Sequence, residues 1–209
     1  MVKANRTSRR RQKERTELTC QRLLEAAEMV FIRDGFRAAR LEDIARAAGY
    51  TRGAFYANFH SKEELFITVA ERQLKGLSDT LRAAVHSASG VEEKLKAVRR
   101  VVQESSAARR WALLLLEFDL FVLRQPNLKR RVLPMQLRLL SGIKAVFRDL
   151  YAAAKRKPPL PLAVIAIGFG AMFQGLTLQR VLNGKQVCSG EIAAVLNRYI
   201  EAMLSVGEA

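Results

Sequence analysis

Apolar positions recur at three- and four-residue intervals along most of this chain, the period of helices with one buried face. A first helix is expected from Thr16, a possible N-cap followed by Glu17, with Leu23, Leu24, Ala27, Val30 and Phe31 as its inner stripe. Asp34-Gly35 ends it. A long helix is expected from Ser61 to about His86, carrying Leu65, Phe66, Val69, Leu74, Leu77 and Leu81. After a break at Ser87–Gly90, Val91–Gln103 turns Leu95, Val98 and Val102 inward. Trp111–Leu123 is apolar nearly all round and is expected to be a central buried helix, ended by Gln125-Pro126-Asn127. Leu128–Tyr151 follows, with Val132, Leu137, Leu140, Ile143, Val146, Phe147 and Leu150 in register. Beyond a basic, proline-rich loop from Lys155 to Pro161, the helices Leu162–Leu182 and Glu191–Ser205 close the chain, the first stopped by Asn183-Gly184. The fold class is all-α.

The stretch Arg40–Leu65 organises the rest. Leu41, Ile44, Ala45 and Ala48 give a short helix one apolar face. Gly49 stands where the chain must turn, and Thr51 where a helix wants an N-cap. The next helix, Arg52–Phe59, sets Phe55 and Phe59 on one face and Arg52, Gly53 and Tyr56 on another. Ser61 and Glu64 have the spacing of a capping box. This is the layout of a helix-turn-helix whose second helix is offered to a DNA major groove. The order Ile44, Ala45, Ala48, Gly49, Thr51, Gly53, Tyr56, Phe59, Lys62 and Leu65 resembles the tetracycline-repressor (TetR) family. So do Ala26, Ala27, Phe31, Gly35 and Phe36 upstream. The resemblance covers roughly the first third of the chain; beyond it only the general helical layout agrees.

Composition adds a partner class. The 209 residues carry a formal net charge of +16, which attracts polyanions, whether nucleic acid or an anionic membrane. Residues 1–15 are basic (Arg6, Arg9, Arg10, Arg11 and Lys13 among them) and nearly without apolar side chains. Such an arm cannot pack by itself and is expected to be disordered when free, either a solvated tail or a strand of charge laid on phosphates or in a minor groove. No apolar run follows the basic start and no uninterrupted apolar stretch is as long as a membrane span, so a cytoplasmic protein without a membrane partner is expected. The two cysteines, Cys20 and Cys188, are far apart and without neighbouring histidines, so neither a metal site nor a disulfide framework is expected, and no cofactor.

The resemblance implies an N-terminal three-helix DNA-binding domain at 16–66, its helix-turn-helix at about 40–59, and a helical effector-binding and dimerisation domain at 67–209. It implies contacts to double-stranded operator DNA from Thr51, Arg52, Gly53, Tyr56, His60 and Lys62. Of these, Thr51 and Tyr56 offer hydroxyls to phosphate, and the Arg52 fork fits guanine O6 and N7. Arg40 and Arg46 are candidates for the DNA backbone. The family's C-terminal helices form a ligand pocket and its last two pair into a homodimer, and both features are expected here. Trp111, Leu115, Phe118, Phe121, Met135, Phe147, Phe169, Phe173 and Gln174 are candidate pocket residues, although aromatic stripes at helical spacing are more often plain core. Glu117 interrupts an apolar run, as does Asp119, and a buried acid there suits a cationic ligand as an apolar pocket suits an apolar one.

The implied function is a dimeric, sequence-specific transcriptional repressor released from a palindromic operator by a small molecule. A ligand-independent regulator or an activator fits the same features, and so does a charge-driven non-specific nucleic-acid binder. An enzyme is not expected: there is no nucleophile elbow, no H-E-x-x-H and no P-loop, and Gly168-Phe169-Gly170 lacks the third glycine of a dinucleotide fingerprint.

Overall fold

A computed structural model describes the backbone of residues 2–106, 109–183 and 188–206, and side chains within 10–105, 111–183 and 188–206. The described residues form helices and no strands: α1 (Val2–Ala38), α2 (Leu41–Ala47), α3 (Arg52–Tyr56), α4 (Lys62–Ser87), α5 (Gly90–Ser106), α6 (Arg109–Leu123), α7 (Pro126–Ala154), α8 (Leu162–Asn183) and α9 (Ser189–Val206). Two compact units divide between Glu71 and Arg72, inside α4.

In the first unit α1 begins far upstream of Thr16. That threonine is no N-cap; its hydroxyl donates to the Gln12 carbonyl one turn back (3.0 Å). Where a free disordered arm is expected, residues 2–15 continue the helix. Arg10 pairs with Glu14 (3.0 Å) and Lys13 with Glu17 (3.7 Å), the four-residue spacing that supports an exposed helix. The stripe sits as expected, with Leu23, Ala27, Val30 and Phe31 buried. The helical path breaks at Gly35, whose φ of 79° and ψ of 163° belong to glycine alone. Phe31, Phe36 and Phe66 then cluster, with the Phe36 and Phe66 rings stacked at 4.3 Å.

The second unit is built around a core shared by α4, α5, α7, α8 and α9, centred on Val98, Val146, Phe147, Leu150, Ile165, Phe169, Ile192, Leu196 and Ile200. Helix α6 is not buried all round: Leu114 and Phe118 face inward, while Leu113, Leu120 and Leu123 are exposed. One helix packing against α7 and α8 covers one side, and the sequence supplies apolar residues for two. Leu137 is likewise exposed, although its period matches the buried stripe of α7. Helix α8 corrects the reading of its segment as too short or too broken for a membrane span. Within its 22 residues an 18-residue window has a mean hydropathy of 1.6, long and apolar enough to cross a membrane by length and composition alone. Only 22% of that window is buried.

Two contacts tie the C-terminus down. The Tyr151 hydroxyl donates to the Met203 carbonyl (2.9 Å), and Arg156 donates to the carbonyls of Leu204 (3.0 Å) and Ser205 (2.8 Å), groups a helix end leaves unpaired. Helices α4 and α7 cross closely at Gly142, where an added Cβ would lie 1.9 Å from the Ser78 Oγ and 3.3 Å from its Cβ. Gly142→Ala should therefore lower the melting temperature by about 2–4 °C, an overpacking cost of about 1–3 kcal/mol outweighing the gain in helix propensity. Adding Ser78→Ala should recover part of the loss. An unchanged melting temperature for Gly142→Ala would show that the crossing relaxes freely.

Candidate nucleic-acid interface

Helix α3 has only five residues, too few to stand alone, and is fixed by its ends and by one side chain. The Thr51 hydroxyl caps it by accepting from the Ala54 amide (3.4 Å), the role the sequence assigns. Gly49 makes the preceding turn at φ 75°. Phe55 is fully buried and Phe59 nearly so, alongside Ile44 and Ala45 of α2. The helix ends at Tyr56 and not at Phe59, because Ala57 and Asn58 already form the next turn. Its opposite side, with Thr51, Arg52, Gly53 and Tyr56, is exposed.

Arg52 is held, not loose. Its Nη1 lies 3.0 Å from Glu42 Oε1, and its Nη2 donates to the Tyr56 hydroxyl (3.3 Å). The guanidinium carbon lies 5.5 Å from the Tyr56 ring centroid. Glu42 is the member of this group that reading the motif misses. The available signal is an acid in the first turn of α2, ten residues ahead of the arginine.

The other candidates divide. Arg40 is the exposed N-cap residue of α2 and makes no side-chain capping bond there. Arg46 is exposed and pairs with Asp43. His60 is exposed, its backbone N–H donating to Glu64 (2.8 Å) and its Nδ1 2.9 Å from the same oxygen. With Glu64 N–H donating to Ser61 Oγ (3.1 Å), this is a capping box whose return bond lands on His60 instead of Ser61. Of the arm, Arg10, Arg11 and Lys13 are exposed, and the side chains of Arg6 and Arg9 lie outside the described residues.

Lys62 departs most from its expected role. Its ammonium donates to the carbonyls of Phe36 (2.8 Å), Arg37 (3.1 Å) and Ala39 (3.0 Å), and it sits 4.8 Å from the Phe36 ring centroid. A lysine has three donors, and these three carbonyls follow the break at Gly35. Lys62 thus clamps the end of α1 to the start of α4 and has no N–H left for a phosphate. The Cys20 thiol donates to Asn58 Oδ1 (3.2 Å), and Asn58 in turn donates to the Ala54 carbonyl (2.7 Å). Burial pushes the Cys20 thiol up from its ordinary value, which disfavours the thiolate.

In the second unit the ten candidate pocket residues differ in burial. Phe147 and Phe169 meet edge to face at 5.6 Å inside the core, with Phe173 packed against them. Phe118 and Met135 are buried; Trp111, Leu115 and Phe121 are half-buried; Glu117 and Gln174 are exposed. Gln174 donates to Asp119 across α6 and α8. Burial raises the Asp119 carboxyl above its ordinary value, and the Gln174 hydrogen bond opposes the rise. An open groove of about 390 Å³ lies elsewhere, between α4 and α7, lined by Asp79, Arg82, Ala83, His86, Ala145, Arg148 and Asp149. Among the described residues no group of three or more His, Cys, Asp or Glu is arranged to hold a metal ion.

The Lys62 clamp has a measurable consequence. Lys62→Met keeps the apolar stem but removes all three donors, and should lower the stability of the first unit by about 1–3 kcal/mol in chemical unfolding. Weaker DNA binding with an unchanged unfolding midpoint would instead restore the phosphate role.

Comparison with known proteins agrees with this geometry. The family model described as bacterial regulatory proteins, tetR family, matches residues 23–69. The one described as BetI-type transcriptional repressor, C-terminal, matches residues 91–205. Among curated relatives, the transcriptional regulator BetI of Agrobacterium fabrum is 27% identical over 187 residues, 87% of this chain and 86% of that protein. The transcriptional activator FasR of Mycolicibacterium smegmatis is 35% identical over 75 residues, 36% of this chain. That match spans about a third of FasR (34%). A TetR-family regulator structure from Mesorhizobium loti superposes with a TM-score of 0.74 at 18% identity, covering 93% of this chain and 99% of that one. A transcriptional regulator from Saccharomonospora viridis, solved in complex with choline, gives 0.69 at 22% identity, covering 87% and 95%. With the C-terminal match alone spanning more than half of the sequence, the chain belongs to the TetR family of bacterial regulatory proteins and carries a BetI-type C-terminal region.

Proposed function

We propose that this chain is a dimeric transcriptional repressor that binds a palindromic operator and is released by a small molecule. The observation that carries the reading is the exposed Thr51–Arg52–Tyr56 face of a helix anchored from behind by buried Phe55. Arg52 reads a guanine edge, while Thr51 and Tyr56 hold phosphates beside it. Arg40, Arg46, His60 and the arm residues Arg10, Arg11 and Lys13 add charge along the backbone. The protein works in the cytoplasm, where the DNA is, and its relatives are regulators and not enzymes.

Dimerisation runs through α8 and α9. Val164, Ile167, Ala171 and Gly175 lie exposed on α8, and Val195 on α9. An apolar surface of this kind wants cover, and a second copy brings the twofold axis that pairs two half-sites. A ligand in the second unit favours a spacing of the two heads that no longer fits successive major grooves, which is a shift between states of different DNA affinity. The choline complex of the Saccharomonospora viridis protein supports a small cationic ligand. Asp119, half-buried at the seam of α6 and α8, is the acid we assign to it. An activator is the second reading, favoured by the FasR likeness in the DNA-binding unit.

The test is selection from a random duplex pool by the intact protein at near-physiological salt. A palindromic site should be enriched, and Arg52→Ala should weaken binding to it by about 10- to 100-fold, Tyr56→Phe by less. Both variants should remain dimers in light scattering. Retention of DNA without an enriched sequence would leave net charge as the whole explanation. Loss of the dimer would overturn the division of labour between the two units.

A further inference from the structure

We infer that Glu42 is a positioning residue that sets base discrimination by Arg52; the inference rests on the proposed operator binding. Arginine carries about 2 kcal/mol of rotamer entropy, which a free side chain loses on docking to a base. Here much of that loss is taken before DNA arrives. The Glu42 carboxylate lies 3.0 Å from Nη1, and the Tyr56 hydroxyl accepts a hydrogen bond from Nη2 at 3.3 Å. A guanidinium has five N–H donors, so with these two engaged the remaining three stay free for a base edge. Its plane is then fixed by two partners on different elements, Glu42 on α2 and Tyr56 on α3.

Two further facts favour positioning over plain stabilisation. The pair is solvent-exposed, with side-chain exposures of 61% for Arg52 and 55% for Glu42. An exposed ion pair contributes little to folding stability, so the contact is free to serve orientation. The acid also stands on the face offered to a polyanion, where it repels phosphate. A carboxylate there weakens general attraction, and on a surface selected for affinity alone it would be a defect. Beside Arg52 it turns the arginine from a phosphate cation into a directed base reader. It opposes docking on any duplex, and the guanine contact offsets that opposition only when the correct base is present.

This gives a signature that no structural role shares. Glu42→Gln keeps the side-chain length and removes the charge. In the intact protein at fixed salt, its affinity for random duplex should rise about twofold or more. Its preference for the base read by Arg52 should fall about tenfold, measured against a duplex changed at that one pair. Glu42→Asp should restore part of the preference. The unfolding midpoint should stay within about 1 °C of the parent, as for other exposed substitutions. A drop in binding to both duplexes, or a rise in both by the same factor, would overturn the inference, the first pointing to a structural role and the second to simple charge repulsion. An unchanged preference would overturn it too. If the parent protein itself enriches no site from the pool, the fault lies with operator binding, and the two failures remain distinct.

Discussion

Everything the exposed face of α3 presents depends on the burial of Phe55. A helix of five residues gains too little from its own hydrogen bonds to persist, so tertiary contacts must hold α3. Phe55 supplies the main one, fully buried, with its ring 5.9 Å from Phe59 and 5.3 Å from Tyr56. The Thr51 cap and the glycine turn at Gly49 fix the entry, and the capping interactions of Ser61 and Glu64 fix the exit. With Phe55 buried, Arg52 and Tyr56 are the exposed side chains of this helix, and they meet each other there. The presentation of that exposed pair thus rests on one apolar side chain holding the helix in place.

The sequence made this region legible because each signal there is local. A capping threonine and a turn glycine need only neighbours within about four residues to act, the inward phenylalanine is marked by its four-residue spacing to Phe59, and all three sit as expected. The Lys62 clamp went unforeseen because its partners, the carbonyls of Phe36, Arg37 and Ala39, are more than twenty residues away. No spacing rule connects a lysine to carbonyls bared by a break at Gly35. Glu42 escaped notice for the same reason, since its pairing with Arg52 depends on how α2 and α3 cross. Thr16 failed differently: a capping residue signals a helix start only if the preceding residues are not helical, and here exposed Arg–Glu and Lys–Glu pairs carry the helix upstream.

In the second unit the apolar pattern overstates burial. Periodicity reports which side chains avoid water, not which copy of the chain covers them. Leu113, Leu120 and Leu123 of α6, and Val164, Ile167 and Leu182 of α8, are apolar in sequence and exposed in a single chain. Helix α8 shows it most: it is apolar along most of its length, yet only 22% of its most apolar 18-residue window is buried in a single chain. Phe147 and Phe169, two of the candidate pocket residues, meet edge to face within the core, where an aromatic pair at helical spacing serves packing.

Net charge and specificity pull in different directions in such a protein. A formal charge of +16 favours any duplex, and every added cation strengthens binding to right and wrong sequences alike. Discrimination is a difference between two affinities, so it is improved by whatever weakens the wrong complex more than the right one. In our proposal Glu42 does this at small cost to folding, since an acid in the first turn of α2 favours the helix N-terminus where it stands. It pairs with Arg52, as its neighbour Asp43 pairs with Arg46. Placing a carboxylate beside a DNA-facing arginine lowers its attraction to phosphate while leaving its hydrogen-bonding fork intact. Within a chain this basic, sequence reading depends on the few acids on the binding face as much as on the many cations.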